Sequence, residues 1–172
     1  ADNLVELSQF LIQHLEANAP RPRRIEAGPG KGRRVYVQHL EADSDYAMDL
    51  AERLQEAGLS ALLPAFDGDE ADRNMLHLRQ LADCDAVVLC WAQASEVWIR
   101  SNANELKWDR LGRKGPFDCR SVVAGPPPQE LKNRFRRIPP RSDIDLVIDV
   151  TESGSPPPEA LQPLLQMLTS HA

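Results

Sequence analysis

The sequence predicts an α/β fold: a doubly wound, five-stranded parallel sheet in the order 2-1-3-4-5, with helices on both faces. Three observations carry this. Short apolar runs alternate with stretches of helical periodicity along most of the 172 residues. One run, AVVLCW at Ala86–Trp91, is continuously apolar, as a strand covered on both faces has to be. Glycine or proline stands at the junctions, at Gly58, Gly112 and Pro126–Pro128.

The elements follow in order. Leu4, Leu7, Leu11 and Leu15 form a helical stripe widened by Val5, Phe10 and Ile12, which predicts an amphipathic helix ending near Asn18. The following APRPRRIEAGPGKGRR is rich in proline, glycine and arginine and reads as a linker, so residues 1–32 form a lead-in and residues 33–172 the domain. Val35–Val37 is β-branched and aromatic and reads as strand one. Asp43 or Ser44 caps a helix carrying Tyr46, Leu50, Leu54 and Ala57, stopped at Gly58. Leu59–Pro64 is strand two, and the polar FDGDEAD leads into a helix with Met75, Leu78 and Ala82. After strand three at Ala86–Trp91, a long helix is expected over Ala94–Leu111. Ser121–Ala124, a short helix in PPPQELKNRF, the strand DLVIDV and a helix with Leu161, Leu164, Leu165 and Leu168 complete the pattern.

Composition narrows the function. Net charge is −6 and aromatics are 5% of residues, which speaks against a nucleic-acid surface. No apolar run approaches the ~20 residues that span a bilayer, and no secretory signal pattern is present, so no membrane partner is expected. Three cysteines without metal-ligand spacing predict free thiols and a cytoplasmic, reducing setting. Cys84 and Cys90 read as small buried hydrophobes. The four histidines are scattered, so no metal site is expected. The chain opens at Ala1 without an initiator Met, which points to processing or to a piece of a longer protein with an upstream domain.

In a sheet of this order, ligands bind beyond the carboxyl ends of the strands. That nominates QHLEADSD, PAFDGDE and WAQASEVW. Receiver-type phosphoryl transfer needs an acidic pair, an Asp and a Lys at the ends of strands one, three and five. Here those strands end in Gln38-His39, Cys90-Trp91 and Asp149-Val150, which speaks against that chemistry. AGPGKGRR lacks Walker spacing and precedes strand one, and no G-x-S-x-G elbow is present.

The order of LLPAFDGDEAD, DAVVLCWAQASEVW with NEL on the same helix, and VVAGPPPQELKNRFR resembles Toll/interleukin-1 receptor (TIR)-like domains. The resemblance is to the bacterial type found at the C-terminal end of multidomain proteins, and it runs from about Arg33 to about Leu168. It implies a flavodoxin-like TIR fold in agreement with the pattern above. It also implies two roles in signalling or defence. One is cleavage of NAD⁺ at the nicotinamide–ribose bond, with NAD⁺ as substrate and no further cofactor. The other is a scaffold that self-associates or recruits other TIR-like domains through its helices and the loop after strand two. A nucleoside deoxyribosyltransferase-like enzyme is a third alternative of the same architecture.

By resemblance, Glu105 is the catalytic carboxylate, with Gln38, His39, Phe66, Asp67 and Trp98 at the nucleotide. Many relatives place the glutamate four residues after the tryptophan, where this chain has Asn102; the bacterial type shares the longer spacing. Trp98 and Glu105 are seven apart, which predicts nearly one helix face. The blander alternatives are a solvated Glu105 paired with Arg113 or Lys107, a core-packing Trp98, and solvated FDGDEAD and RFRRIPPR segments.

Overall fold

The computed structural model describes residues 32–137 and 144–170. The helix and nearly all of the linker expected over 1–32, and the IPPR part of the basic segment, lie outside the described residues. Five parallel strands, β1 (Arg34–Gln38), β2 (Ser60–Leu62), β3 (Ala86–Trp91), β4 (Cys119–Ala124) and β5 (Leu146–Asp149), form one sheet. Their order is β2-β1-β3-β4-β5, the order the sequence predicts. The helices are α1 (Ser44–Glu56), α2 (Glu70–Asp83), α3 (Glu96–Glu105), α4 (Glu130–Arg137) and α5 (Gln162–Thr169).

Strand alternation sorts the core into two layers. Val35, Val37, Val88 and Cys90 point toward α1 and α5, where Leu50, Leu54, Leu164 and Leu168 meet them. Tyr36, Val87, Leu89 and Trp91 point the other way, toward Leu81, Ile99, Ala103 and Phe135 of α2, α3 and α4. All six residues of β3 are buried, as its unbroken apolar run requires of a central strand. Full burial of each leucine stabilises the fold by about 1.5–3 kcal/mol.

Three elements differ from expectation. The helix over Ala94–Leu111 stops at Glu105, because Leu106 turns into the core and Lys107 is extended. A short 3-10 turn, Trp108–Arg110, follows, and Gly112 at φ +65° reverses the chain. On α2 the residue that reaches the core is Leu81, whereas Leu78 is 55% exposed. The final helix divides into a 3-10 turn, Pro158–Leu161, and α5.

Two buried charges hold the ligand-side rim, and neither stood out in the sequence. Asp43, read as a cap, makes no capping bond to α1. Its carboxylate accepts the backbone N–H groups of Ala92 (3.2 Å), Gln93 (2.8 Å) and Ala94 (3.2 Å). Lys132, 2% exposed, donates from Nζ to the carbonyls of Ala92 (2.6 Å), Gly125 (2.7 Å) and Pro127 (2.9 Å). The loop after β3 is thereby fixed to the turn after β1 and to α4. A charge buried this deeply persists only with such full pairing.

Candidate functional site

The site grows from the last residue of β1. Gln38 is 6% exposed at the carboxyl edge of the sheet. Beside it α3 begins at Ser95, whose hydroxyl caps the helix by accepting from Trp98 N at 3.1 Å. One turn later Asn102 donates from Nδ2 to the Trp98 carbonyl at 2.8 Å, and its Oδ1 accepts from Gln38 Nε2. Gln38 Oε1 has no hydrogen-bond partner among the described residues.

His39 follows directly. Its Nδ1 donates to the Val37 carbonyl at 3.2 Å, and its ring meets Phe66 edge-on with centroids 5.2 Å apart. Burial pushes the His39 pKa below its ordinary value of 6.5, partly offset by the Val37 carbonyl and Asp43. Its ring is therefore neutral at pH 7.

α2 supplies the opposite wall. Asp69 caps this helix by accepting from Ala71 N at 2.8 Å, so the FDGDEAD segment is used to start a helix. Arg73 donates from Nη1 to the Phe66 carbonyl at 3.3 Å, and its Nε has no partner among the described residues. His77, one turn on, has Nδ1 2.8 Å from the hydroxyl of Tyr36. Burial, with nearby Cys84 and Glu105 adding, raises the Tyr36 pKa well above the ordinary phenol value. Glu105 Oε2 only accepts, so His77 Nε2–H points to it at 3.5 Å.

Together these side chains line an open cavity of about 290 Å³ whose walls include Gln38, His39, Phe66, Arg73, His77 and Trp98. A second, more apolar hollow of about 560 Å³ lies between α2 and α3 and is lined by Leu78, Leu81, Glu105 and Leu111. Asn74 and His77 belong to the walls of both.

Four of the six expected site residues thus converge: Gln38, His39, Phe66 and Trp98. Trp98 packs against the core and also lines the cavity. Asp67 is exposed and lines neither cavity. Glu105 lines the second cavity, not the first. Seven residues of helix separate it from Trp98 by about 10 Å along the axis, so a shared face does not bring them to one pocket. Its partner is His77, and the expected Arg113 is engaged elsewhere, with the carbonyls of Leu81, Ala82 and Cys84 and over the Phe117 ring. Arg73, His77 and Tyr36 escaped sequence reasoning. The only signal was the i, i+4 spacing of Arg73 and His77, which reads the same on a solvated face.

In the basic segment, Arg136 pairs with Asp149 at 2.9 Å and Arg134 with Glu130 at 3.6 Å. Among the described residues no group of three or more His, Cys, Asp or Glu could hold a metal ion. None of the described helices is long and apolar enough to cross a membrane.

No family model and no curated protein matches the chain. Two solved structures, both variants of a flavo di-iron protein from Thermotoga maritima, are similar at 10% and 11% identity, with TM-scores of 0.49 and 0.47. Each match covers 84% of this chain and 37% of the other, so the chain spans little more than a third of those proteins' length. Identities this low bear on neither ligand nor chemistry.

Proposed function

We propose that this chain is a TIR-like domain that holds NAD⁺ in the cavity at the end of β1 and cleaves it at the nicotinamide–ribose bond. The observation that carries this is the convergence of Gln38, His39, Phe66 and Trp98 on one cavity at the carboxyl edge of the sheet, where parallel sheets take their ligands. Aromatic walls suit a planar base, and the Arg73 guanidinium suits a phosphate. Nicotinamide leaves the cationic glycoside as a neutral molecule, taking the bonding pair, and the ribose becomes oxocarbenium-like. Water adds at that carbon and releases a proton, giving ADP-ribose. Glu105 stabilises the developing positive charge. Glu105 lines the neighbouring cavity behind His77, so the sugar has to extend past the wall that the two cavities share to meet it.

Incubation with NAD⁺ at high protein concentration tests this. Nicotinamide release is expected, falling about a hundredfold or more in Glu105→Ala. No release removes the enzymatic reading, and equal release by the variant removes Glu105 from it. Release of free base from deoxynucleosides but not from NAD⁺ points to deoxyribosyltransferase chemistry instead.

One observation favours the scaffold as a second reading. The position beside Gln38 holds the amide of Asn102, not a carboxylate, and Glu105 is 53% exposed. A scaffold predicts concentration-dependent association by light scattering, abolished by substitutions in Phe66–Glu70, with no nicotinamide release.

A further inference from the structure

The cavity offers more than a shape for a base. We infer that Gln38 is a specificity residue: its side-chain carbonyl selects a planar ring bearing an –NH₂ group, as an amide or exocyclic amine, over the acid or oxo counterpart. This rests on the nucleotide reading above and narrows it.

The orientation of the Gln38 amide follows from a chain of one-way partners. A backbone carbonyl only accepts, so the Trp98 carbonyl fixes the Asn102 nitrogen toward itself. Asn102 Oδ1 then faces Gln38 and also only accepts, so it takes Gln38 Nε2. Gln38 Oε1 is the atom left over, without a partner among the described residues, in a side chain that is almost wholly buried and lines the cavity. A buried carbonyl without a donor is costly, and a ligand N–H relieves that cost. A ligand carboxylate or keto oxygen at the same place sets acceptor against acceptor.

The far wall fixes the other end of the ligand. Arg73 Nε has no partner among the described residues and His39 is neutral, so Arg73 is the permanent cation of a cavity that Glu70 also lines. A donor-bearing ring at Gln38 and an anion at Arg73 describe a nucleoside phosphate with an amide or amino base. Nicotinamide mononucleotide and AMP have this chemistry. Nicotinic acid mononucleotide and IMP carry an oxygen where these two carry the –NH₂ group.

Calorimetric titration of the full chain with these four mononucleotides tests the inference. Within each pair that binds, the –NH₂ member is expected to bind at least tenfold more tightly. In Gln38→Met the gap closes to within about twofold. Asn102→Ala closes it too, by freeing the intact Gln38 amide to turn, and so gives the same answer should Gln38→Met fail to fold. Equal affinities within both pairs for the unaltered protein overturn the Gln38 assignment and leave the nucleotide reading standing. A gap that survives in both variants overturns it as well. Binding of none of the four overturns the nucleotide reading itself, and the inference with it.

Discussion

The carboxylate of Asp43 accepts three backbone N–H groups from the loop after β3 and is 2% exposed. Asp43→Ala leaves those donors without their acceptor, and we expect a loss of about 2–4 kcal/mol in urea unfolding at pH 7. Asp43→Asn keeps one acceptor oxygen and is expected to lose less. His39 makes a different kind of contribution. Burial lowers its folded pKa beneath the 6.5 of the unfolded chain, so on acidification the unfolded state takes up the proton first. The stability it confers is present above pH 6.5 and is lost as pH falls from there through the folded value. Unfolding measured between pH 7.5 and pH 5 should show that loss, and His39→Gln should flatten it. At this scale the legible residues were those flanking strand ends, Gln38, His39 and Phe66, together with Trp98 on the first turn after β3. Asp43 was legible only as a cap, because nothing local says that its acceptors are spent on a loop about 50 residues away. Arg73 and His77 were illegible because a polar helix stripe looks alike whether it faces water or a cavity.

Among the elements, the junction of β4 with the following loop packs closely on α1. A Cβ at Gly125 would stand 2.6 Å from Cε1 of Tyr46 on α1, so strand end and helix touch with no room for a methyl group. Gly125→Ala is expected to cost about 1–3 kcal/mol by overpacking, and Tyr46→Leu in the same chain to return part of it, both read from thermal unfolding. Element type followed from local pattern, since β3 buries its whole apolar run and α1 buries Tyr46, Leu50 and Leu54, while Ala57 stands at its exposed C-cap. Element length did not. The apolar Leu106, Trp108 and Leu111 extended the apparent helix beyond Glu105, although Leu106 is core, Trp108 is 41% exposed and the backbone between them is extended. That misreading matters for function, because a helix ending at Glu105 puts this carboxylate on its last turn.

For the molecule as a whole, burial of all three cysteines makes a global prediction. Cys84, Cys90 and Cys119 are buried, and burial pushes each thiol up to about 12. Neither thiolate nor access is available in the folded state. A thiol reagent at pH 8 should therefore label none of them natively and all three in urea, with native labelling tracking global opening. Partial rapid labelling would show that one face of the sheet opens on its own. The two-layered sheet also explains why only half of the site could be read in advance. The β1 and β3 termini fix one wall by topology, whereas the other wall depends on how α2 rolls on the sheet, which Leu81 decides by docking where Leu78 was expected.

The central claim is that the cavity at the end of β1 receives NAD⁺, and Trp98 reports on it most directly. Titration of NAD⁺ into ¹⁵N-labelled protein, with the Trp98 indole N–H assigned by its disappearance in Trp98→Phe, follows that wall of the cavity itself. The account predicts a saturable shift of the Trp98 indole resonance while that of Trp108, on its exposed turn, stays in place. A Trp98 resonance unmoved at millimolar NAD⁺ would contradict it.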